Sequence, residues 1–287
     1  MSVISPDRII GGTVYERETP VGLLRFVQCA PGEWLTAKGE PAKKPHRSYS
    51  LDGTELDSVS SIVGCLDKPA LLHWVEQTTA IGTAQAFRLG ELDECPDEEI
   101  VDRLKLLQLG SSAARDMGAD RGHAIHLAFE GLARGEGMPD LETFPAQAVP
   151  WLRGAARAWL RMSPVVDVIE GSVVHPEHSY AGRFDLIAKI EGRRTLVDYK
   201  TNRGRVYDSA HYQTRLYAMA LEASGYEPVE DIVIVGVDDD GGVKLVHCEA
   251  TEEDALSLLH VARSRKRVNA GMAAQNKAAK AALKAAA

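Results

Sequence analysis

Hydrophobic and polar residues alternate over 184–190, break at Glu191-Gly192, and resume in a second run over 195–200. Alternation with period two marks a half-buried strand, and the short break with glycine predicts a β-hairpin. Strand side chains repeat every second residue, so Asp198 and Lys200 project from one face and Val197 and Tyr199 from the other. Asp185 joins the charged face if the strands pair in the register that the turn suggests. Two carboxylates and an ammonium are poor core material, because each desolvated charge needs a partner. They suit a hard divalent cation held by carboxylate oxygens, with the ammonium orienting water or offsetting phosphate charge. Taken alone, Asp198-x-Lys200 describes a surface ion pair equally well.

The pattern elsewhere is mixed. Residues 8–55 carry short β-like runs, at 22–27 and 46–51, punctuated by Pro31-Gly32, Gly39, Pro41, Pro45 and Asp52-Gly53. This predicts a small β-rich lobe over 1–57. From Ser58 the periodicity is helical, with Ser60 or Ser61 as N-cap, a fresh start at Lys68-Pro69, and helices over 71–89 and 97–109. That makes 58–119 a helical region. Asp120 is placed to cap the next helix, which buries Ile125, Ala128, Phe129 and Leu132 and carries His126 and Glu130 on an adjoining face. A helix over 150–162, a strand over 165–174, the hairpin, a helix over 207–224 and a second hairpin over 231–248 follow. Together they predict an α/β core over 120–250. An amphipathic helix over 252–268 falls within a C-terminal segment, 251–271, and the Ala/Lys-rich tail, 272–287, has little to bury and is expected to be unstructured.

Composition narrows the function. With 33 Lys and Arg against 41 Asp and Glu, the net charge of -8 excludes a protein that coats nucleic acid by bulk charge. Basic residues nevertheless gather over 38–47, 193–205 and 263–267, so a local groove depends on the fold. Trp34 beside Lys38, Lys43, Lys44 and Arg47 suits either a strand-binding surface or the core of the first lobe. Cys29, Cys65, Cys95 and Cys248 form no Cys-x-x-Cys pair, against a zinc or redox motif. No apolar run approaches the roughly 20 residues that span a bilayer, and the N-terminus lacks a signal pattern, so no membrane association and a cytoplasmic location are expected.

Gly182-x-x-Asp185, Asp198-x-Lys200 and Gln213-x-x-x-Tyr217, with Gly122-x-x-x-His126-x-x-x-Glu130 upstream, together resemble the PD-(D/E)XK nuclease superfamily, in its RecB-like branch of phage and CRISPR-associated exonucleases. The resemblance covers 58–217. It implies a restriction-endonuclease-like core, a mixed sheet flanked by helices, to which the N-terminal β-rich lobe and the helical insertion are additions. It also implies metal-dependent hydrolysis of DNA phosphodiester bonds by Asp185, Asp198 and Lys200. His126, Asp185, Asp198 and the Tyr199 carbonyl would hold one or two Mg²⁺ or Mn²⁺ ions, imidazole favouring Mn²⁺. Glu130, Glu177, Gln213 and Tyr217 would support the site, with Arg203 and Arg205 on DNA. Cluster-bearing relatives carry a close group of Cys after the Gln-x-x-x-Tyr motif. Here only Cys248 follows Tyr217, so no iron-sulfur cluster is expected. The branch implies an exonuclease acting on DNA ends in recombination or repair, with scope for a recombination partner protein. A structure-selective or adaptation-type endonuclease would use the same residues. A non-catalytic DNA-binding descendant would not need both Asp and Lys.

Overall fold

The computed structural model describes residues 8–36, 38–66, 69–202 and 204–286. In chain order these form β1 (Thr13–Thr19), β2 (Gly22–Cys29), β3 (His46–Leu51), β4 (Thr54–Ser58), α1 (Val59–Val63), α2 (Pro69–Arg88), α3 (Ile100–Leu106), α4 (Gly110–Ala133) and α5 (Val149–Met162). There follow β5 (Val165–Ile169), β6 (Ser172–His175), β7 (Tyr180–Arg183), β8 (Leu186–Ile190), β9 (Arg193–Lys200), α6 (Asp208–Met219), β10 (Asp231–Val237), β11 (Val243–His247) and α7 (Glu252–Ala286).

Glu191 and Gly192 both take positive φ, 51° and 81°. That backbone matches the right-handed twist of the strands it joins, and it locks β8 against β9 with Ile190 opposite Arg193. The pair lies within a five-stranded sheet of order β11-β10-β9-β8-β5, in which β9 and β10 run parallel. Both faces are covered, so β10 reads as one apolar run, Ile232-Val-Ile-Val235, instead of alternating. On one face Phe129 of α4 and Trp151 and Leu152 of α5 pack on Val197, Tyr199 and Val235. On the other, Leu216 and Tyr217 of α6 and Leu258 of α7 pack on Ile187, Leu196 and Ile232.

The N-terminal strands do not stand apart from this core. They belong to a six-stranded sheet of order β1-β2-β3-β4-β7-β6, joined where β4 runs parallel to β7 with Asp57 opposite Tyr180 and Ser58 opposite Ala181. Arg17 of β1 donates to Ser172 O at 3.0 Å and Ser224 O at 2.9 Å and lies 4.0 Å over the Tyr226 ring. From α7, Arg263 Nε and Lys266 Nζ reach the Asp57 carboxylate at 3.0 and 2.7 Å.

Several elements differ from the pattern reading. The strand expected over 165–174 is two strands in different sheets, because Glu170 turns into the left-handed region at φ 53°. Gly171 then lies under Phe184, where a Cβ would stand 2.2 Å from the ring. The N-cap of α1 is Ser58, whose Oγ accepts from Ser61 N at 3.1 Å, and not Ser60 or Ser61. Helix α4 begins at Gly110, so Asp120 is an exposed residue within it and caps nothing. Its early half is sewn to α2, where Gly82 lies against the Gly110 backbone and Thr79 Oγ1 donates to Ser111 Oγ at 3.0 Å. The expected 97–109 helix is a 3₁₀ turn and α3, closed by positive φ at Gln108 (54°) and Gly110 (82°). The 207–224 helix stops at Met219, with a 3₁₀ turn at Glu222–Ser224. Helix α7 continues to Ala286 instead of ending near Val268, since alanine and lysine favour helix and Gly271 alone does not stop it. The start at Lys68 lies outside the described residues. Among those residues, no helix is long and apolar enough to cross a membrane.

Candidate active site

Because Leu186 pairs with Val197, Asp185 sits just before β8 and across from Asp198, and Tyr199 N donates to Asp185 Oδ2 at 2.9 Å. Asp198 is 2% exposed. Lys200 Nζ lies 2.6 Å from Asp198 Oδ2 in an ion pair. The same ammonium donates to Gln213 Oε1 at 3.2 Å, and Gln213 Nε2 donates to Tyr217 Oη at 2.9 Å. Residues 213 and 217 are one helical turn apart on α6, so they form a short polar ladder ending on the lysine. On the opposite side, the Phe129 ring stacks on Tyr199 at 3.6 Å. That contact seats α4 so that His126 Nδ1 lies 3.5 Å from Asp185 Oδ1.

Seven residues expected at the site are therefore brought together: His126, Asp185, Asp198, Tyr199, Lys200, Gln213 and Tyr217. Glu130 lines the same cleft, but its carboxylate pairs with Arg134. Glu177 is elsewhere, in the exposed turn at the His175–Tyr180 end of the β6–β7 ladder, whereas Asp185 follows the other end, where Ser172 pairs with Arg183. Glu170 occupies that end instead and was not anticipated. Its backbone N–H donates to Asp185 O at 2.8 Å. Donor atoms of His126, Glu170 and Asp185 all lie within 4.8 Å of one another, a group able to hold a metal ion. The signal for Glu170 was the Glu-Gly step in a run otherwise read as one continuous strand. Arg205 is exposed in the loop before α6, and Arg203 lies outside the described residues.

Gly182 has a steric reason to be glycine. A Cβ there would stand 2.4 Å from Tyr217 Cε1 and 3.1 Å from Val59 Cγ2, so the Gly-x-x-Asp and Gln-x-x-x-Tyr motifs are in physical contact.

The charges are strained by burial. Burial pushes the Asp198 carboxyl up to about 6, helped by the Asp185 charge and opposed by Lys200. Burial and the Asp185 charge push Glu170 up to about 7 against the pull of Arg183, whose Nε lies 2.8 Å from Glu170 Oε2. Asp185 is also buried, yet His126, Lys200 and the Tyr199 N–H hold it below the ordinary carboxylate range. Burial opposes the charged form of His126, but the Asp185 carboxylate outweighs it and raises the imidazole. The imidazole nitrogen and carboxylate oxygen donors of the cluster suit a hard or borderline divalent ion.

A sequence profile of the PD-(D/E)XK nuclease superfamily matches residues 101–285. Among solved structures, the alkaline exonuclease LHK-Exo from Laribacter hongkongensis is similar at 16% identity, over 51% of this chain and 84% of that one, with a TM-score of 0.29. No curated protein matches the chain.

Two outcomes are expected of this geometry. Gly182→Ala should destabilise the fold by about 1–3 kcal/mol through overpacking on Tyr217. Part of that loss should return when Tyr217→Leu is added, and equal melting of Gly182→Ala and the parent would contradict the contact. A bound cation needs its carboxylates ionised, and the metal-free site raises Asp198 to about 6 and Glu170 to about 7. Mn²⁺ affinity should therefore rise as pH increases through 6–7, with protons released on binding. Calorimetry in buffers of different ionisation heat checks this, and a pH-independent affinity would refute it.

Proposed function

Because this chain belongs to the PD-(D/E)XK nuclease superfamily, we propose that it is a divalent-metal-dependent deoxyribonuclease that degrades linear DNA from its ends. The observation that carries the reading is the meeting of Asp185, Asp198 and Lys200 at adjoining strand ends, with His126 and Glu170 closing on Asp185. Such a group of buried charges does nothing for packing that apolar residues would not do better.

The residues fit a divalent ion. His126, Glu170 and Asp185 would hold it, with Asp198 and the Tyr199 carbonyl available beside them. Mg²⁺ or Mn²⁺ suits the donors, and the imidazole leans toward Mn²⁺. When bound, the ion supplies Lewis-acid chemistry, lowering the pKa of water and offsetting charge on the scissile phosphate. Lys200 serves the reaction directly. Its side chain is 21% exposed, so the ammonium can reach a phosphate oxygen or orient the attacking water. Asp198 and Gln213 hold that ammonium from two sides, and Tyr217 holds Gln213, so the lysine enters the reaction already ordered. Arg205 is exposed in the loop leading from β9, and it and Arg203 would contact the DNA backbone.

Action at ends, and service in recombination or repair alongside a partner protein, rest on the likeness of the four sequence motifs to RecB-like exonucleases. The same likeness, with Cys248 alone after Tyr217, supports an enzyme without an iron-sulfur cluster.

End-labelled linear and covalently closed circular DNA, each incubated with Mg²⁺ or Mn²⁺, test the reading. Linear DNA should be degraded and closed circles spared; equal rates would overturn action at ends. Asp198→Ala and Lys200→Ala should each lose at least about 10² in rate while keeping their far-UV circular dichroism. Near-parental cleavage by either would sink the assignment. His126→Ala should shift the metal titration to higher concentration without losing helicity, and superimposable titrations would make His126 merely structural.

A further inference from the structure

The N-terminal strands lie outside the residues matched by the superfamily profile, 101–285, yet they form one wall of a groove on the flank of the catalytic face. Arg47, Ser48 and Tyr49 of β3, Glu55, Leu56, Asp57 and Ser58 of β4, Ser61 of α1, and Arg263 and Lys266 of α7 line it. We propose that this groove carries a single strand of nucleic acid, gripped by its phosphates, between the catalytic face and solvent. The inference rests on the nuclease reading and extends it to a substrate track that the N-terminal region completes.

Three observations support the assignment. The first is charge. The chain as a whole carries -8, but the groove sets Arg47, Arg263 and Lys266 against Glu55 and Asp57. Asp57 is engaged by two of the cations, at 3.0 Å from Arg263 Nε and 2.7 Å from Lys266 Nζ. These groups have different tasks. Arg263 also donates to Ser179 O at 3.2 Å and to His178 O, so it fastens α7 to the β6–β7 turn. Lys266 is 66% exposed along its side chain and has two further N–H donors. Arg47 is exposed, its guanidinium 5.1 Å from the Phe26 ring. Arg47 and Lys266 are thus the phosphate-facing pair.

The second observation is continuity. Ser58 and Ser61 of the groove flank Val59, which meets Tyr217 across Gly182. From Tyr217 the ladder runs through Gln213 to Lys200. Ser58 also pairs with Ala181, four residues before Asp185, so the groove lies beside the strand that leads into the site.

The third concerns what the groove lacks. Among the described residues that line it, the one aromatic side chain, Tyr49, is 2% exposed and offers no ring face for bases to stack on. Contact must fall on the backbone, which makes the track indifferent to sequence and sensitive to salt.

Binding of a fluorescent single-stranded oligonucleotide to the full chain carrying Asp198→Asn, with Mg²⁺, measured by anisotropy across a KCl series, tests the proposal. Arg47→Gln and Lys266→Gln should each lower the slope of log affinity against log salt by about 0.7, and together by about 1.4. In the cleaving chain they should raise KM and leave kcat unchanged. Arg47→Lys should keep the parental slope, which loss of a merely structural arginine contact would not. If Lys266→Gln loosens α7 in a thermal melt, Arg47→Gln against Arg47→Lys decides alone. Unchanged slopes in a chain that cleaves DNA would overturn the groove and leave the nuclease reading standing. A parent that neither binds nor cleaves would overturn both.

Discussion

The structure turns on one electrostatic constraint, the placing of Asp185 and Asp198 side by side, the first largely and the second wholly withdrawn from water. Two neighbouring carboxylates repel, and burial penalises their ionised forms. The fold answers with groups drawn from distant parts of the chain. Lys200 leans on Asp198, while the Tyr199 N–H and His126 lean on Asp185. Even so, Asp198 titrates near 6 and Glu170 near 7, well above exposed carboxylates. Packed apolar residues in place of a buried ion pair are often as stable or more so, so stability alone does not explain this arrangement. A divalent cation held as proposed above would offset the repulsion.

The scaffold exists to hold that geometry. The left-handed backbone at Glu191-Gly192 sets the register that brings Asp185 across from Asp198. The Phe129–Tyr199 stack positions His126, and the Gly182–Tyr217 contact positions the Gln213 ladder. Each face of the sheet thus contributes one helix whose apolar packing fixes a polar group a few ångströms away. The N-terminal strands enter the same system through β4 and β7, locked by Asp57 to α7.

Much of this was legible in the residue pattern. The period-two alternation and the Glu-Gly turn specified the hairpin, and with it the shared face of Asp198 and Lys200. The periodicity of Ile125, Ala128 and Phe129 specified the buried face of α4, with His126 beside it. What escaped depends on backbone conformations that hydrophobic periodicity does not record. Glu170 was hidden because a left-handed residue divides an apparently unbroken strand, and Glu177, read as a supporting acid from its place before the Gly-x-x-Asp strand, lies at the end of the β6–β7 ladder away from Asp185. The parallel β4–β7 pairing joins residues more than a hundred positions apart, so the first strands looked like a lobe of their own.

The central claim is that His126, Glu170 and Asp185 form the seat of a catalytic cation. Anomalous diffraction from crystals grown with Mn²⁺ tests it most directly. The account predicts a peak bounded by those three side chains, on the side of Asp185 that faces His126. A peak at Glu177, or none beside Asp185 in crystals of a protein that cleaves DNA with Mn²⁺, would contradict it.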